Sequence, residues 1–394
     1  MNLLRPLIER FFPPVQPLPA GVYHYQAPAD HNFPYRLHLR IEPDGHGVLI
    51  INASTIVHLN VTASEYAYHL IRNTPEEQAI AEVARRYRVP KDTVQRDYHD
   101  LVSRLKTLID TPDLDPISFL DFERSEVYSG ANSAPYRLDC ALTYRLEGES
   151  QQMQAPEERV RRELVTEEWK VVLEKTWQAG VPHVVFTGGE PTLRADLCSL
   201  IRYAESLGMV TGLITDGQRL LQPDYLQELL QSGLDHAMLL LDPGQELCWQ
   251  ALSTLIAEDI AVTVHLTLNQ AILPDLETIL DRLADMGTET ISLSADSPSL
   301  KSVLQSAAQT LAERQLRLVW NLPVPYSHFN PVSLEMAEEL DGEQQSAGPG
   351  RAWLYVEPDG DVLTGQGQYQ TVLGNLLTDS WDTVWNSARA EQAE

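Results

Sequence analysis

The sequence predicts an α/β protein: a parallel (β/α)6 barrel with an N-terminal winged-helix-like α+β domain and a small C-terminal extension. Two observations predict this organisation. Strand-like and helix-like segments alternate from residue 136 to 322, and such alternation is typical of parallel sheets and barrels. Before this stretch, strand patterns are followed by three helix patterns, which is typical of a small α+β domain.

The length, composition and charge of the chain limit which classes of protein it can belong to. The chain has 394 residues, of which 43% are hydrophobic and 22% charged, so two or three folded domains are expected. A formal net charge of −27 predicts repulsion of nucleic acids and of anionic membranes. No apolar run approaches the roughly 20 residues of a membrane helix, and no secretory signal is present. We therefore expect a cytoplasmic protein without a membrane span.

The first third of the chain predicts a hairpin sheet and then helices. Residues 35–60 alternate apolar and polar side chains around a turn at residues 43–45. Three helix start signals follow, at Thr62, at Thr74-Pro75 and at Pro90. Residues 1–20 include an amphipathic pattern for which docking onto the body is the favoured role, with membrane or partner contact as the alternative.

Five parts are expected in chain order. They are an amphipathic segment at 1–20, the winged-helix-like domain at 21–112, a Pro- and acid-rich linker at 113–135, the barrel at 136–322 and the extension at 323–394.

A Gly-Gly-Glu-Pro motif lies between a predicted strand and a predicted helix of the barrel, in VVFTGGEPTLRADL at 184–197. Gly188 and Gly189 leave room for a backbone edge to approach a small polar ligand. The Glu190 carboxylate can accept hydrogen bonds from an ammonium group. This arrangement resembles the motif with which radical SAM proteins engage the amino group of S-adenosylmethionine, although a strand-to-helix turn without a ligand is the simpler alternative.

Further segments resemble radical SAM sequences in the correct order. LDCALTYR at 138–145 is similar to the first barrel strand, GLITDGQRL at 212–220 to the end of the third strand, and VLGNLLTDSWDTVW at 372–385 to the end of a SPASM-type extension. The resemblance implies a partial TIM-like radical SAM barrel. It also implies a set of cofactor-binding residues, namely Gly188, Gly189, Glu190, Pro191, Thr215 and Asp216.

The N-terminal domain resembles the PqqD-like peptide-recognition element of ribosomal-peptide maturation. The resemblance rests on the hairpin and on TPEEQAIAEVARRYRVPKDTVQRDYHDLVSRL at 74–105. It implies that a leader peptide adds a strand to a sheet edge beside a helix. A winged helix that binds something else, or that only supports the barrel, is the alternative.

The cluster-binding pattern of the family is missing. Radical SAM enzymes place CxxxCxxC after the first strand, and the three thiolates ligate a [4Fe-4S] cluster. In this chain those positions fall on Leu146, Ser150 and Met153, none of which supplies a thiolate. A register that starts at Cys140 also fails, because its other two positions are Tyr144 and Glu147. The family leads one to expect a cluster, but this sequence does not support one.

Three functional hypotheses follow. The favoured one is a cluster-free, catalytically degenerate radical SAM protein that serves as a binding or accessory protein in peptide maturation. Its partner would be a peptide or an active paralogue, and S-adenosylmethionine stays a candidate ligand. One alternative is an active radical SAM enzyme that modifies a peptide with unusual cluster ligation. The other is a leader-peptide-binding module, so the sequence leaves open whether the chain is an enzyme.

Overall fold

The computed structural model describes residues 16–28, 35–111, 132–146, 157–258, 260–318 and 348–391. They belong to two compact units, of which the first ends at Ser133 and the second begins at Ala134. The predictions for residues 1–15, for the linker up to residue 131, and for Ser150 and Met153 lie outside the described residues. None of the described helices combines the length and apolar character needed to span a bilayer.

The N-terminal unit contains a four-stranded antiparallel sheet with the strand order β1-β2-β3-β4. The strands are β1 (Gly21–Gln26), β2 (Arg36–Ile41), β3 (Gly47–Ile51) and β4 (Thr55–Leu59). The predicted turn joins β2 to β3, where Gly45 N donates to Glu42 O at 2.9 Å. The sequence pattern did not predict β1, which pairs with β2 and leaves β4 at the opposite edge.

Three helices follow this sheet, as predicted. They are α1 (Val61–Ile71), α2 (Glu76–Tyr87) and α3 (Lys91–Asp110). Alternate strand residues such as Leu39 and Leu49 share one apolar core with helix residues such as Val83 and Leu105. The predicted start of the first helix at Thr62 is wrong, because Asn60 caps it by accepting from Ala63 N at 2.9 Å.

The second unit is built on one ten-stranded sheet, with the order β11-β10-β9-β8-β7-β6-β5-β12-β13-β14. Its parallel strands are β5 (Arg137–Thr143), β6 (His183–Gly188), β7 (Val210–Thr215), β8 (His236–Leu240), β9 (Ala261–Leu268), β10 (Thr290–Ala295) and the short β11 (Arg317–Leu318). The alternating helices are α4 (Thr166–Gln178), α5 (Leu197–Leu207), α6 (Pro223–Gln231), α7 (Glu246–Ile256), α8 (Leu276–Asp285) and α9 (Lys301–Glu313). The predicted (β/α)6 fold class is confirmed.

The parallel strands present two different buried faces, since successive side chains of a strand point to opposite sides. On one side, residues such as Leu138, Phe186 and Leu213 form the main core together with helix residues such as Trp169. On the other side, an apolar cluster is formed by Val185, Ile214, Met238 and Leu240, which come from β6, β7 and β8. This second face is the interior face of the barrel strands.

The C-terminal extension continues the same sheet. β12 (Trp353–Val356) pairs in parallel with β5, and β13 (Asp361–Leu363) and β14 (Gly374–Asn375) follow it in antiparallel order. β12 and β13 form a hairpin, and the final helix is α10 (Trp381–Glu391). The pairing of the extension with the first barrel strand was not predicted.

Glu357, the residue after β12, is a buried carboxylate that ties the extension to the barrel. It is only 2% exposed. Arg159 donates to it through Nε and Nη2 at 3.0 and 2.7 Å, and the Tyr144 hydroxyl donates to Oε1 at 3.1 Å. Because Tyr144 follows β5, this one side chain joins the extension to the end of the first barrel strand.

Replacing Glu357 should therefore destabilise the second unit. We expect Glu357→Ala to lower the free energy of unfolding by about 2 kcal/mol, because it removes the buried acceptor of hydrogen bonds from Tyr144 and Arg159. The exposed carboxylate of Glu313 on α9 offers a control, and Glu313→Ala should change stability by less than about 0.5 kcal/mol. Urea unfolding measures both values. Equal effects of the two substitutions would contradict the assigned role of Glu357.

Candidate functional site

The Gly-Gly-Glu-Pro motif forms the turn that follows β6, at the carboxyl ends of the parallel strands. Gly189 N donates to Thr143 O at 2.7 Å, and Glu190 N donates to Arg145 O at 2.8 Å. These two backbone hydrogen bonds fasten the turn to the chain leaving β5. Ligand sites of open parallel sheets and barrels lie at this end of the strands.

Both glycines are required by the chain's own packing. A Cβ atom on Gly188 would lie 2.2 Å from Thr143 O, and Gly188 has a φ of +123°, which side-chain-bearing residues rarely adopt. A Cβ atom on Gly189 would lie 2.3 Å from Arg145 O. From the sequence we expected the two glycines to leave room for a ligand. In the structure, the backbone of residues 143–145 packs against them.

The Glu190 carboxylate lies at the centre of the site and is 1% exposed. It accepts hydrogen bonds from Thr192 N at 3.0 Å, from the Thr215 hydroxyl at 2.9 Å and from Asp216 N at 2.8 Å. The motif after β6 and the predicted residues after β7 therefore meet around one carboxylate. Three of its roughly four acceptor positions are already used by the protein.

Burial also sets the protonation of this carboxylate. It raises the pKa of Glu190 from 4.5 to about 7, and the charge of Asp216 adds to the rise. The hydrogen bonds from Thr192 and from the Asp216 amide oppose the rise. Pro191, the fourth predicted residue of the motif, is buried and begins the short 3-10 turn Pro191–Leu193. Five of the six predicted residues, all except Gly188, thus lie in or next to the hydrogen-bond network of Glu190. Gly188 is the last residue of β6.

Sequence reasoning missed an arginine that fixes this turn. Arg194 Nη1 donates to Leu142 O and to Leu164 O, both at 3.0 Å, and the same guanidinium forms a bidentate pair with Asp196. Arg194 is 8% exposed and precedes α5, which begins at Leu197. The sequence did offer one signal for this ion pair, because Arg194 and Asp196 lie two positions apart shortly after the motif.

The described residues do not fit an iron–sulfur cluster. Leu146, the first of the three family ligand positions, packs against the apolar cluster of Val185, Ile214, Met238 and Leu240. All three cysteines of the chain are buried, on β5, α5 and α7 respectively. Within the described ranges, no group of three or more His, Cys, Asp or Glu side chains could hold a metal ion. We therefore derive no chemistry through a cluster.

The histidines of the barrel strands form hydrogen bonds within the protein. His265 is 1% exposed, and its ring contacts the hydroxyls of Ser292 at 3.0 Å and Ser294 at 2.9 Å. Burial lowers its pKa to about 3, so it is neutral at physiological pH. His236 lies 2.8 Å from His183 between their Nε2 atoms, and burial lowers its pKa to about 4. These contacts are hydrogen bonds between polar side chains of different barrel strands.

A second candidate site lies in the N-terminal unit. A cavity of about 640 Å³ lies beside the edge strand β4 and α3, within the range of about 300–1,000 Å³ for ligand pockets. Its lining mixes apolar side chains with polar and charged ones. Leu59, Val89 and Leu101 belong to the apolar part, while His58 lines the cavity and its Nε2 atom is buried without a hydrogen-bond partner among the described residues.

A match to a known protein family lies within the second unit. Residues 140–260 match the family model for the Radical SAM superfamily. A PqqA peptide cyclase from Streptomyces rochei is 26% identical over 289 residues, which cover 67% of this chain and 79% of the relative. A PqqA peptide cyclase from Bradyrhizobium diazoefficiens is 45% identical, but over only 78 residues, which are 20% of each protein.

Solved structures show a similar fold along most of the chain. Streptococcus suis SuiB bound to S-adenosylmethionine has a TM-score of 0.56 at 13% identity and covers 92% of this chain and 88% of its own. SuiB bound to the precursor peptide SuiA has a TM-score of 0.57 at 13% identity, with coverages of 88% and 86%. At such identities the likeness concerns the fold.

Because burial raises the pKa of Glu190, we expect the free energy of unfolding to depend on pH. Its pKa in the folded protein is about 7, above the ordinary 4.5, so the stabilisation it contributes is complete below about pH 4.5 and is lost as the pH rises through 7. That loss amounts to about 3 kcal/mol. Glu190→Gln removes the titration, so its free energy of unfolding should change less between pH 4.5 and 8.

The exposed Glu228 on α6 is the matched control, and Glu228→Gln should keep the wild-type pH profile. Urea unfolding at several pH values measures all three proteins. A Glu190→Gln profile as steep as that of the wild type would show that Glu190 does not titrate in this range.

Proposed function

Because the chain belongs to the radical SAM superfamily, we propose that it is a cluster-free, catalytically degenerate member that serves as a binding or accessory protein in peptide maturation. The placement of its cysteines is the observation that carries the proposal. Cys140 is 0% exposed in the main core, and Cys198 and Cys248 lie on two different helices. Three thiolates on one short loop are what the cluster requires, and this chain offers none there.

The retained Gly-Gly-Glu-Pro turn is compatible with this loss. Its backbone hydrogen bonds to residues 143–145 and the acceptance of three hydrogen bonds by Glu190 are all made within the protein. These contacts stabilise the barrel whether or not a cofactor binds. The motif can therefore persist in a protein that no longer performs radical chemistry.

Binding of S-adenosylmethionine should be weak. Without an open iron, the amine and carboxylate of the ligand lose their strongest contacts, and Glu190 retains little acceptor capacity for the ammonium group. Calorimetric titration should give a dissociation constant of about 1 mM or weaker, equivalent to about −4 kcal/mol. Low-micromolar binding, or 5′-deoxyadenosine production under reducing conditions, would instead support an active radical SAM enzyme.

The N-terminal unit offers the surface for a peptide. β4 lies at the edge of its sheet and pairs with β3 alone among the described strands. The 640 Å³ cavity runs beside this edge and α3. An extended peptide can bind such a site by backbone pairing with the strand while its apolar side chains enter the cavity. The relatives named for the PqqA and SuiA peptides make a precursor peptide the chemical class to test.

A negative charge placed in the cavity lining should weaken peptide binding. Val89 lines the cavity and is half-buried, so Val89→Asp should weaken binding of labelled PqqA or SuiA peptide at least tenfold, which corresponds to about 1.4 kcal/mol. Val102 on α3 is similarly buried but does not line the cavity, and Val102→Asp should leave the affinity unchanged. Fluorescence anisotropy measures both. Failure of the wild type to bind either peptide would refute the peptide role.

A further inference from the structure

The chain enters the described part of the structure at the rim of the N-terminal cavity. Gln16 O accepts a hydrogen bond from Arg86 Nη1 at 3.3 Å. Pro17 packs on Gly45 so closely that a Cβ atom there would lie 2.4 Å from Pro17 Cβ and 3.2 Å from Val61 Cγ1. Val61 lines the cavity, as does His46, the neighbour of Gly45. The residues that precede Gln16 are therefore tethered beside this cavity.

Residues 1–15 are long enough to reach across it. Ten residues span about 15 Å as a helix and about 33 Å when extended. Their sequence places large apolar side chains at helical spacing, which predicts one continuous apolar face. The members of this face are Leu3, Leu4, Leu7, Ile8, Phe11 and Phe12.

The cavity complements this segment in polarity and charge. Part of its lining is aliphatic, as with Leu59, Val89 and Leu101, and an apolar occupant would shield these side chains from water. Two acidic side chains of α3, Asp97 and Asp100, also line it and are 51% and 59% exposed. Arg104 lines it as well and pairs with Asp100 at 2.9 Å, which leaves the rim with one net negative charge. The segment brings Arg5 and Arg10 against a single acidic residue, Glu9, so it carries a net positive charge toward this acidic rim.

We propose that residues 3–12 dock into the N-terminal cavity and act as an intramolecular competitor of the peptide. The competition rests on the proposed peptide-binding function, whereas the docking itself does not. A short tether gives a local concentration in the millimolar range. With an intrinsic dissociation constant of about 0.1 mM, the docked segment would lower the apparent affinity of a competing peptide about tenfold.

The test uses full-length protein and a fluorescent synthetic peptide of residues 1–15. The double variant L7D/F11D places two carboxylates on the apolar face and should release the tethered segment, so the added peptide should bind it about tenfold more tightly than it binds the wild type. The charge-matched control N2D/P6D adds the same two carboxylates to the opposite face, so it should release the segment much less than L7D/F11D does. Adding V89D to L7D/F11D should abolish the gain.

Equal affinity of the added peptide for the wild type and L7D/F11D, or no binding to either, would overturn the proposal. The two proposals fail in distinguishable ways. If PqqA and SuiA peptides bind the wild type and L7D/F11D with one affinity, and V89D weakens both, the competition is refuted and the peptide function stands. If those peptides bind no variant while the peptide of residues 1–15 binds L7D/F11D, the docking stands and the peptide function is refuted.

Discussion

The close backbone approach between the turn after β6 and the chain leaving β5 is the constraint on which the candidate site depends. Gly189 N and Glu190 N donate to Thr143 O and Arg145 O, and a side chain at either glycine would collide with those carbonyl groups. The same turn presents Glu190 to Thr215 and to the Asp216 amide. Two strand ends are thereby joined through one buried carboxylate. The end of the barrel at which ligands bind is thus shaped by internal hydrogen bonds.

This constraint is compatible with the proposed absence of a cluster. Leu146 joins the apolar cluster on the interior face of β6 to β8, so burial of apolar surface stabilises the position where the family has its first ligand. Nearby, the Glu357 carboxylate binds Tyr144 and Arg159 and holds the extension to the end of β5. Contacts made by the polypeptide itself therefore stabilise the region that a metal centre would otherwise organise.

Periodicity and turn chemistry predicted the barrel well. The predicted alternation of strands and helices is present from β5 to β11, as in the strands at 261–268 and 290–295 and the helix at 223–231, because each is a short regular pattern between clear breakers. The sequence also predicted that residues after two different strands would form one site. It did not predict β1 or the pairing of β12 with β5, because pairing between distant segments leaves no local pattern.

Other features depended on three-dimensional contacts that sequence alone does not give. The reason for Gly188 and Gly189 became apparent only from the carbonyl groups packed against them, and the N-terminal cavity only from the placement of α3 beside β4. The role of Arg194 in joining residues 142 and 164 likewise spans segments far apart in the chain. Local spacing predicted which residues meet, and packing determined what they do.

The central proposal is that this barrel holds no iron–sulfur cluster, and anaerobic reconstitution with iron and sulfide tests it most directly. We expect the purified protein to bind no stoichiometric iron and to show no absorbance band near 400 nm after excess reagents are removed. A brown protein with about four irons per chain would contradict the account, because ligands other than three clustered thiolates would then hold the cluster.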